Sequence, residues 1–595
     1  MNKTDLSQNI QAILLLVFFS VLSACSGSDG APGVDGNNGL QSLILVSTEP
    51  AGENCPFGGS RIDVGVDTNG NGVLDSSPNE IEHTEYVCSQ YLASFDGLVF
   101  SEDPNYDGYY ELFASWPSGG SVIKIASSSL ATEYIREIAL SPDKTHVAFV
   151  VYPSHTLYVA NLLSPYVPPV KLSLNVYTNE RAGFFAWSPD SQHIAFTLGE
   201  ATSQGKNGLF TANPEGTAIA TLTSVFAPLS ADITNLAWSP DSQHIAYVYD
   251  FQVDATYQLY TVTPNGTNIS LVSDPAQAVH SSISWAPNSS RIAYMDAVQD
   301  SLYTATPAAG TSINVSGKAS ANGGAIIDYQ WSPDSQRLAF RANFEDITVN
   351  DLFITAADKL DSTRISQHLT VNTQIVSNVI QYGWSVKADY LAYLADQEVD
   401  NTFELFVASM DASSTKVSST SSDVVSLFAW STKDSSLAYT RANELNFVNA
   451  DGTNHKNVDL VDRQIKSLYW SPDGNYLAYT PYDVLYNGNY YGSVKVVDNN
   501  ANTPLQVSPA ITDGGMWDVN TNLEWSPDSS RLAFEIAYPH SVATTSVGMK
   551  ELYAVFPDGS GLQKLSIREK PNLLDGYLNL GVRQFRFQGD SKVHQ

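Results

Sequence analysis

One phrase recurs along most of this chain. It reads Leu140-Ser-Pro-Asp143, Trp187-Ser-Pro-Asp190, Trp238-Ser-Pro-Asp241, Trp285-Ala-Pro-Asn288 and Trp331-Ser-Pro-Asp334, then Trp384-Ser-Val-Lys387, Trp430-Ser-Thr-Lys433, Trp470-Ser-Pro-Asp473 and Trp525-Ser-Pro-Asp528. Successive serine positions lie 47, 51, 47, 46, 53, 46, 40 and 55 residues apart. Self-similarity at such a period marks a fold built from small like units, none of which buries its apolar face alone. Eight of the ten tryptophans fall in the one slot, with only Trp116 and Trp517 elsewhere, so the slot reads as a core anchor between packed sheets. The Pro-Asp-Ser step reads as a tight turn, because proline presets φ and aspartate caps the turn backbone. Its repeated aspartate is therefore structural rather than catalytic.

Each phrase leads into a short apolar run such as IAFTL, IAYVY or LAYLA. In the unit from residue 431 the segments LFAW, SLAYTR, ELNFVN and HKNVDL follow one another, with no helical stretch between them. Four short strands per unit, repeated around a channel, are the blades of a β-propeller, so the expected fold class is all-β. Fragments of the same unit stand at both ends. Ser94-Phe95-Asp96-Gly97 leads into LVFSE, YYELFAS and VIKIAS, a blade lacking its first strand, and FRFQGDS at 585–591 is a first strand alone, with Phe587 in the tryptophan slot. Joined, they complete a tenth blade and close one ring, which also removes exposed sheet edges. Two successive rings of five remain the alternative. The phrase W-S-P-D-(S/G)-x-x-(I/L)-A-(F/Y) resembles the TolB-type, WD40-like propeller repeat over residues 91–595. That resemblance implies the propeller fold and leaves function open, since its members include periplasmic translocation proteins, surface lipoproteins and the propeller gates of serine peptidases.

Ahead of the repeats, Ile10 to Ala24 is an apolar run (IQAILLLVFFSVLSA) shorter than the roughly 20 residues a spanning helix needs. Length and position fit the apolar region of a signal peptide over 1–24. It ends in Leu22-Ser23-Ala24-Cys25, which resembles the bacterial lipobox and implies that Cys25 is lipidated and anchors the chain by lipid alone. Ser26 rather than Asp after that cysteine favours the outer membrane over the inner one. Gly30, Gly33, Gly36 and Gly39 then repeat at the collagen period, giving a spacer over 25–41.

Residues 42–90 form a small module. With Cys25 lipidated, Cys55 and Cys88 remain of the three cysteines, and an even pair in an exported chain is most simply a disulfide. No His pair at metal spacing accompanies them, which argues against zinc. Between them Asp67-Thr-Asn69-Gly-Asn71-Gly-Val73-Leu-Asp75 follows the first nine positions of an EF-hand-type calcium loop, with Pro78 where the final glutamate should stand and Glu80 two residues later. The expected ligands are Asp67, Asn69, Asn71, the Val73 carbonyl, Asp75 and Glu80; the competing reading is an Asx-rich turn.

With 30 Lys plus Arg against 62 Asp plus Glu, the formal net charge of −32 repels nucleic acid and anionic lipid surfaces. The sequence contains no Gly-x-Ser-x-Gly elbow, no His-Glu-x-x-His and no phosphate-binding loop. His146, His193 and His244 share one position beyond the turn, expected to face solvent. The chain is therefore read as a non-enzyme. Turns between first and second strands are tight and uniform, whereas second-to-third connections are long and varied, as at 101–109, 342–350, 481–491 and 536–549. These share a face with the connections between blades, and insertions on one face mark a binding face. Tyr106, Tyr109, Tyr482, Tyr486, Tyr490 and Trp517 are its candidate contacts, suited to an envelope protein or a polysaccharide. A hydrolase or lyase with a loop-built site, and a structural surface protein trimerised through the spacer, are the alternatives.

Overall fold

A computed structural model of the chain describes residues 41–49, 59–69, 71–75, 80–88, 97–102, 110–115, 122–126, 134–165, 167–172, 180–200, 207–223, 232–250, 256–317, 323–371, 374–418, 424–459, 464–486, 489–509, 518–538, 549–566 and 585–587. The signal segment, Cys25 and the spacer up to residue 40 lie outside them, as do Cys55, Tyr106, Tyr109 and Trp517, whereas Gln41, the spacer's expected last residue, already begins a strand. Every regular element among the described residues is a β-strand, and the chain divides into two compact units.

The first unit is a three-stranded antiparallel sheet of Gln41–Glu49, Gly59–Asp67 and Ile81–Cys88, paired in that order. Gln41 faces Asp67 and Glu49 faces Gly59, so the first pair is in register throughout. The second pair shifts register between Val64 and Gly65. A Cβ at Gly65 would lie 1.8 Å from the Glu80 carbonyl oxygen, so only glycine lets the returning chain come this close.

Among the described residues the second unit holds ten meander blades. Blades 2 to 10 run in chain order, with first strands at Tyr134–Leu140, Glu180–Trp187, Ile233–Trp238, Val279–Trp285, Ile326–Trp331, Val379–Trp384, Val425–Trp430, Ile465–Trp470 and Asp518–Trp525. Blade 1 is assembled from both ends. Its first strand, Phe585–Phe587, pairs antiparallel with Leu98–Glu102, setting Leu98 against Phe587 and Phe100 against Phe585. In blades 2 to 10 the first strand slips register against the second, a bulge that bends it.

Ten apolar cores, one per junction, join these blades in sequence. Blade 1 meets blade 2 through Val99, Leu112, Val147 and Phe149, and the series runs junction by junction to Phe100 and Phe113 against Leu552 and Leu565, between blades 10 and 1. Each fully buried aliphatic or aromatic side chain contributes about 1.5–3 kcal/mol. Two rings of five would need blade 5 to pack on blade 1. Instead Met295, Leu302 and Val315 of blade 5 pack on Ile326 and Phe340 of blade 6, so the unit is one ring.

The repeated tryptophan holds the ring together. Its indole N–H donates to a backbone carbonyl of the preceding blade at eight junctions: Trp187 to Ala139, Trp238 to Ala186, Trp285 to Ala237, Trp331 to Ser284, Trp384 to Gln330, Trp430 to Gly383, Trp470 to Ala429 and Trp525 to Tyr469. Seven of the eight are buried and Trp430 is half-buried. Burying the ring while satisfying its single donor is what makes tryptophan, rather than phenylalanine, the residue of the slot.

Candidate functional site

The turns between first and second strands are closed networks. In each Ser-Pro-Asp turn the serine hydroxyl donates to the aspartate two residues on, at 2.6 or 2.7 Å, from Ser141–Asp143 through Ser526–Asp528. The residue after the aspartate has positive φ, 62° at Ser191 and Ser242 and 64° at Ser289 and Ser335. From there its hydroxyl accepts the backbone N–H of the aspartate or asparagine one blade back. Ser191 accepts from Asp143, Ser242 from Asp190, Ser289 from Asp241, Ser335 from Asn288 and Ser529 from Asp473. Burial pushes the carboxyls of Asp143, Asp241, Asp473 and Asp528 up, but the serine hydroxyl and backbone N–H bonds outweigh it and leave them below the ordinary range. They are held ionised as turn caps, which is not the state of a general acid.

The shared histidine position is not solvent-facing, contrary to the sequence reading. His146, His193 and His244 are half-buried, each lying over the tryptophan of the next blade, with ring centroids 6.3, 6.2 and 6.3 Å from Trp187, Trp238 and Trp285. Tyr476 does the same over Trp525 at 6.4 Å. Burial pulls the His146 imidazole below its ordinary value, with Asp143 and Glu215 acting in the opposite direction.

On the opposite face the structure finds more order than expected. The second strand of blade 9 does not stop near Pro481: it runs Tyr476–Tyr486 and folds back through Asn489–Gly492, setting Tyr482 against Gly492 and Tyr486 against Asn489. Tyr482, Tyr486 and Tyr490 thus sit on a hairpin arm rather than a loop. This face also carries buried polar clusters that no motif announced. Asp351 accepts the Ser366 hydroxyl at 2.7 Å through one oxygen and lies 2.8 Å from His368 Nε2 through the other. Because the serine is bonded to the carboxylate and not to the imidazole, it is not activated as a nucleophile. Glu404 pairs with the buried Arg441 and accepts from Ser418. Ser366 and Ser418 belong to a second repeat legible in hindsight. Thr223, Ser273, Ser316, Ser366, Ser418, Ser508 and Ser566 each accept the backbone N–H of an apolar residue in their blade's third strand or, in blade 9, of Val494 just before it.

In the first unit the calcium-loop residues are gathered by the chain itself. Asp67 accepts the N–H groups of Asn71 and Gly72, at 3.2 and 2.7 Å. Asp75 accepts the side-chain amides of Asn69 and Asn71, at 2.9 and 2.8 Å. Glu80 is buried and accepts from Asp75 N–H, the Thr68 hydroxyl and N–H, and Asn69 N–H, bonds that hold its carboxyl below the ordinary range. Val73 is exposed. The donor set is all oxygen and so matches a hard cation, although among the described residues no three carboxylate, imidazole or thiolate side chains gather as a metal site. Cys88 ends the third strand opposite Gly59.

The folded ring is a β-propeller of four-stranded blades. Residues 208–459, less than half of the chain, match the model of the lipoprotein LpqB β-propeller domain, and residues 41–88 match a domain of unknown function (DUF7151). No curated protein matches the chain. Among solved structures, a eukaryotic initiation factor is 11% identical, covering 83% of this chain and 99% of its own at a TM-score of 0.46. A dipeptidyl peptidase 4 of Porphyromonas gingivalis is 13% identical, covering 64% and 59% at 0.41. A prolyl endopeptidase is 11% identical, covering 60% and 54% at 0.32. Identities and scores this low decide nothing about chemistry in this chain.

Proposed function

We propose that this chain is a non-catalytic propeller scaffold, lipid-anchored in the bacterial envelope through Cys25, that binds an envelope protein or polysaccharide. The observation that carries the reading is the contrast between the ring's two faces. On one face the turn side chains are spent on stitching blade to blade; on the other a tyrosine-bearing hairpin, Tyr476–Gly492, extends beyond the ladder of blade 9. The match to a lipoprotein propeller domain supports the anchor, and Ser26 supports delivery to the outer membrane. Cys55 and Cys88 are read as a disulfide that staples the small unit, and the 67–80 loop as a weak calcium site, because the Glu80 carboxylate is already engaged by backbone N–H groups.

Photocrosslinking tests the partner face. A photoreactive residue at Tyr486 or Tyr490 of the anchored chain should give a discrete adduct in the envelope, and one at Gln192, in a turn of the stitched face, should give none. Adducts from Gln192 alone would contradict the face assignment.

A further inference from the structure

The two outer strands of the small unit's sheet are finished in opposite ways. At one edge, Ile81–Cys88 exposes Glu82, His83 and Glu85, and charge of this kind keeps a sheet edge from pairing with another chain. At the other edge, Gln41–Glu49 runs in register with its neighbour without a bulge, and its stretch from Ser42 to Ser47 carries neither charge nor proline. That stretch leaves Ile44, Leu45 and Val46 exposed by 52, 41 and 62%. Successive side chains of a strand point to opposite faces, so this strand is uncovered on both. The central strand is little better covered. Ile62, Val64 and Val66 are only half-buried, and Leu74 is the one buried apolar side chain among the unit's described residues. A module this small, with so little core of its own, calls for a staple or for association.

The sequence just ahead of the open strand says what covers it. Gly30, Gly33, Gly36 and Gly39 keep the period at which three chains share one crowded axis, and the last of them stands two residues before the strand begins. Four such triplets are too few to hold three chains together unaided, so a second contact is needed where the spacer ends. We propose that the edge from Ser42 to Ser47 is a self-association surface, on which two further copies of this chain close at the end of the spacer. Ile44, Leu45 and Val46 of each copy are buried in that contact. The assembly multiplies by three the lipid anchor and the partner face proposed above, raising avidity without a new contact to the partner. The self-association itself does not depend on that reading.

The test uses the full anchored chain extracted in detergent. Native mass spectrometry should find three copies, and Ile44→Asp/Val46→Asp should reduce them to one while the ring melts as in the parent. A second measurement does not depend on that variant keeping its sheet. A photoreactive residue at Leu45 should join chain to chain, and one at His83, on the charged edge, should not. One or two copies in the parent, three copies that persist in the double aspartate variant, Leu45 adducts to other envelope proteins alone, or chain-to-chain adducts from His83 and none from Leu45 would each overturn the proposal.

Discussion

The junctions between blades 2 and 6 and those between blades 6 and 9 are built on one plan and finished differently. In the first group the residue after the turn aspartate is Ser191, Ser242, Ser289 or Ser335, and each reaches back to the previous blade. In the second group its place is taken by Ala388, Asp434 and Gly474. Substitutes appear instead: the Ser435 hydroxyl bonds Asp389, and the Thr432 hydroxyl donates to the Ser471 carbonyl at 2.6 Å. The indole-to-carbonyl bond persists through both groups. The tryptophan is therefore the indispensable link and the serine a supplementary one.

Truncating the tryptophan in each group should show the largest difference. Trp285→Ala should cost about 3–5 kcal/mol in denaturant unfolding, as large-to-small core changes do, and Trp430→Ala should cost less because its ring is only half-buried. Equal losses would dissolve the distinction between the groups. The stitch itself is a smaller term. Ser242→Ala leaves the Asp190 N–H without its acceptor and should cost about 1–2 kcal/mol, whereas Ala388→Ser should gain at most about 1 kcal/mol by supplying the missing hydroxyl. No gain from Ala388→Ser would mean that other features of that turn set the junction.

The smallest effect separates the groups by pH. Burial lowers the His146 imidazole, so as pH falls the unfolded chain takes up a proton before the folded one does. The stability tied to His146 is thus present above the ordinary histidine range and lost as pH falls through the folded value. His146→Tyr should flatten the decline in melting temperature between about pH 7 and about pH 5. A Ser436 variant, at a junction with no imidazole cover, should leave that slope unchanged. Separately, millimolar calcium added to the full chain should give a weak calorimetric signal that Asp67→Ala removes. A silent titration would leave the 67–80 loop as a turn.

The ring was legible in the chain because the phrase, its period and the half-blade at each end are local patterns, and Phe587 could be aligned to the tryptophan slot without any structure. The partners were not. His146 meets Trp187 across a blade boundary, and nothing near either residue records that meeting. The hairpin arm was hidden by Pro481, which reads as the end of a strand but sits where its lack of an N–H is tolerated, paired with Ile465.

The central claim is a single ring of ten blades closed by the two ends of the chain, and one cross-link tests it directly. Val99 and Arg586 are register partners in blade 1, close enough for a disulfide when both are cysteine. In Val99→Cys/Arg586→Cys, non-reducing mass mapping should find the 99–586 peptide pair linked within one chain under mild oxidation. Two successive rings would close on strands from the middle of the sequence. A variant that folds but shows no 99–586 link, or shows it only between chains, would contradict the single ring.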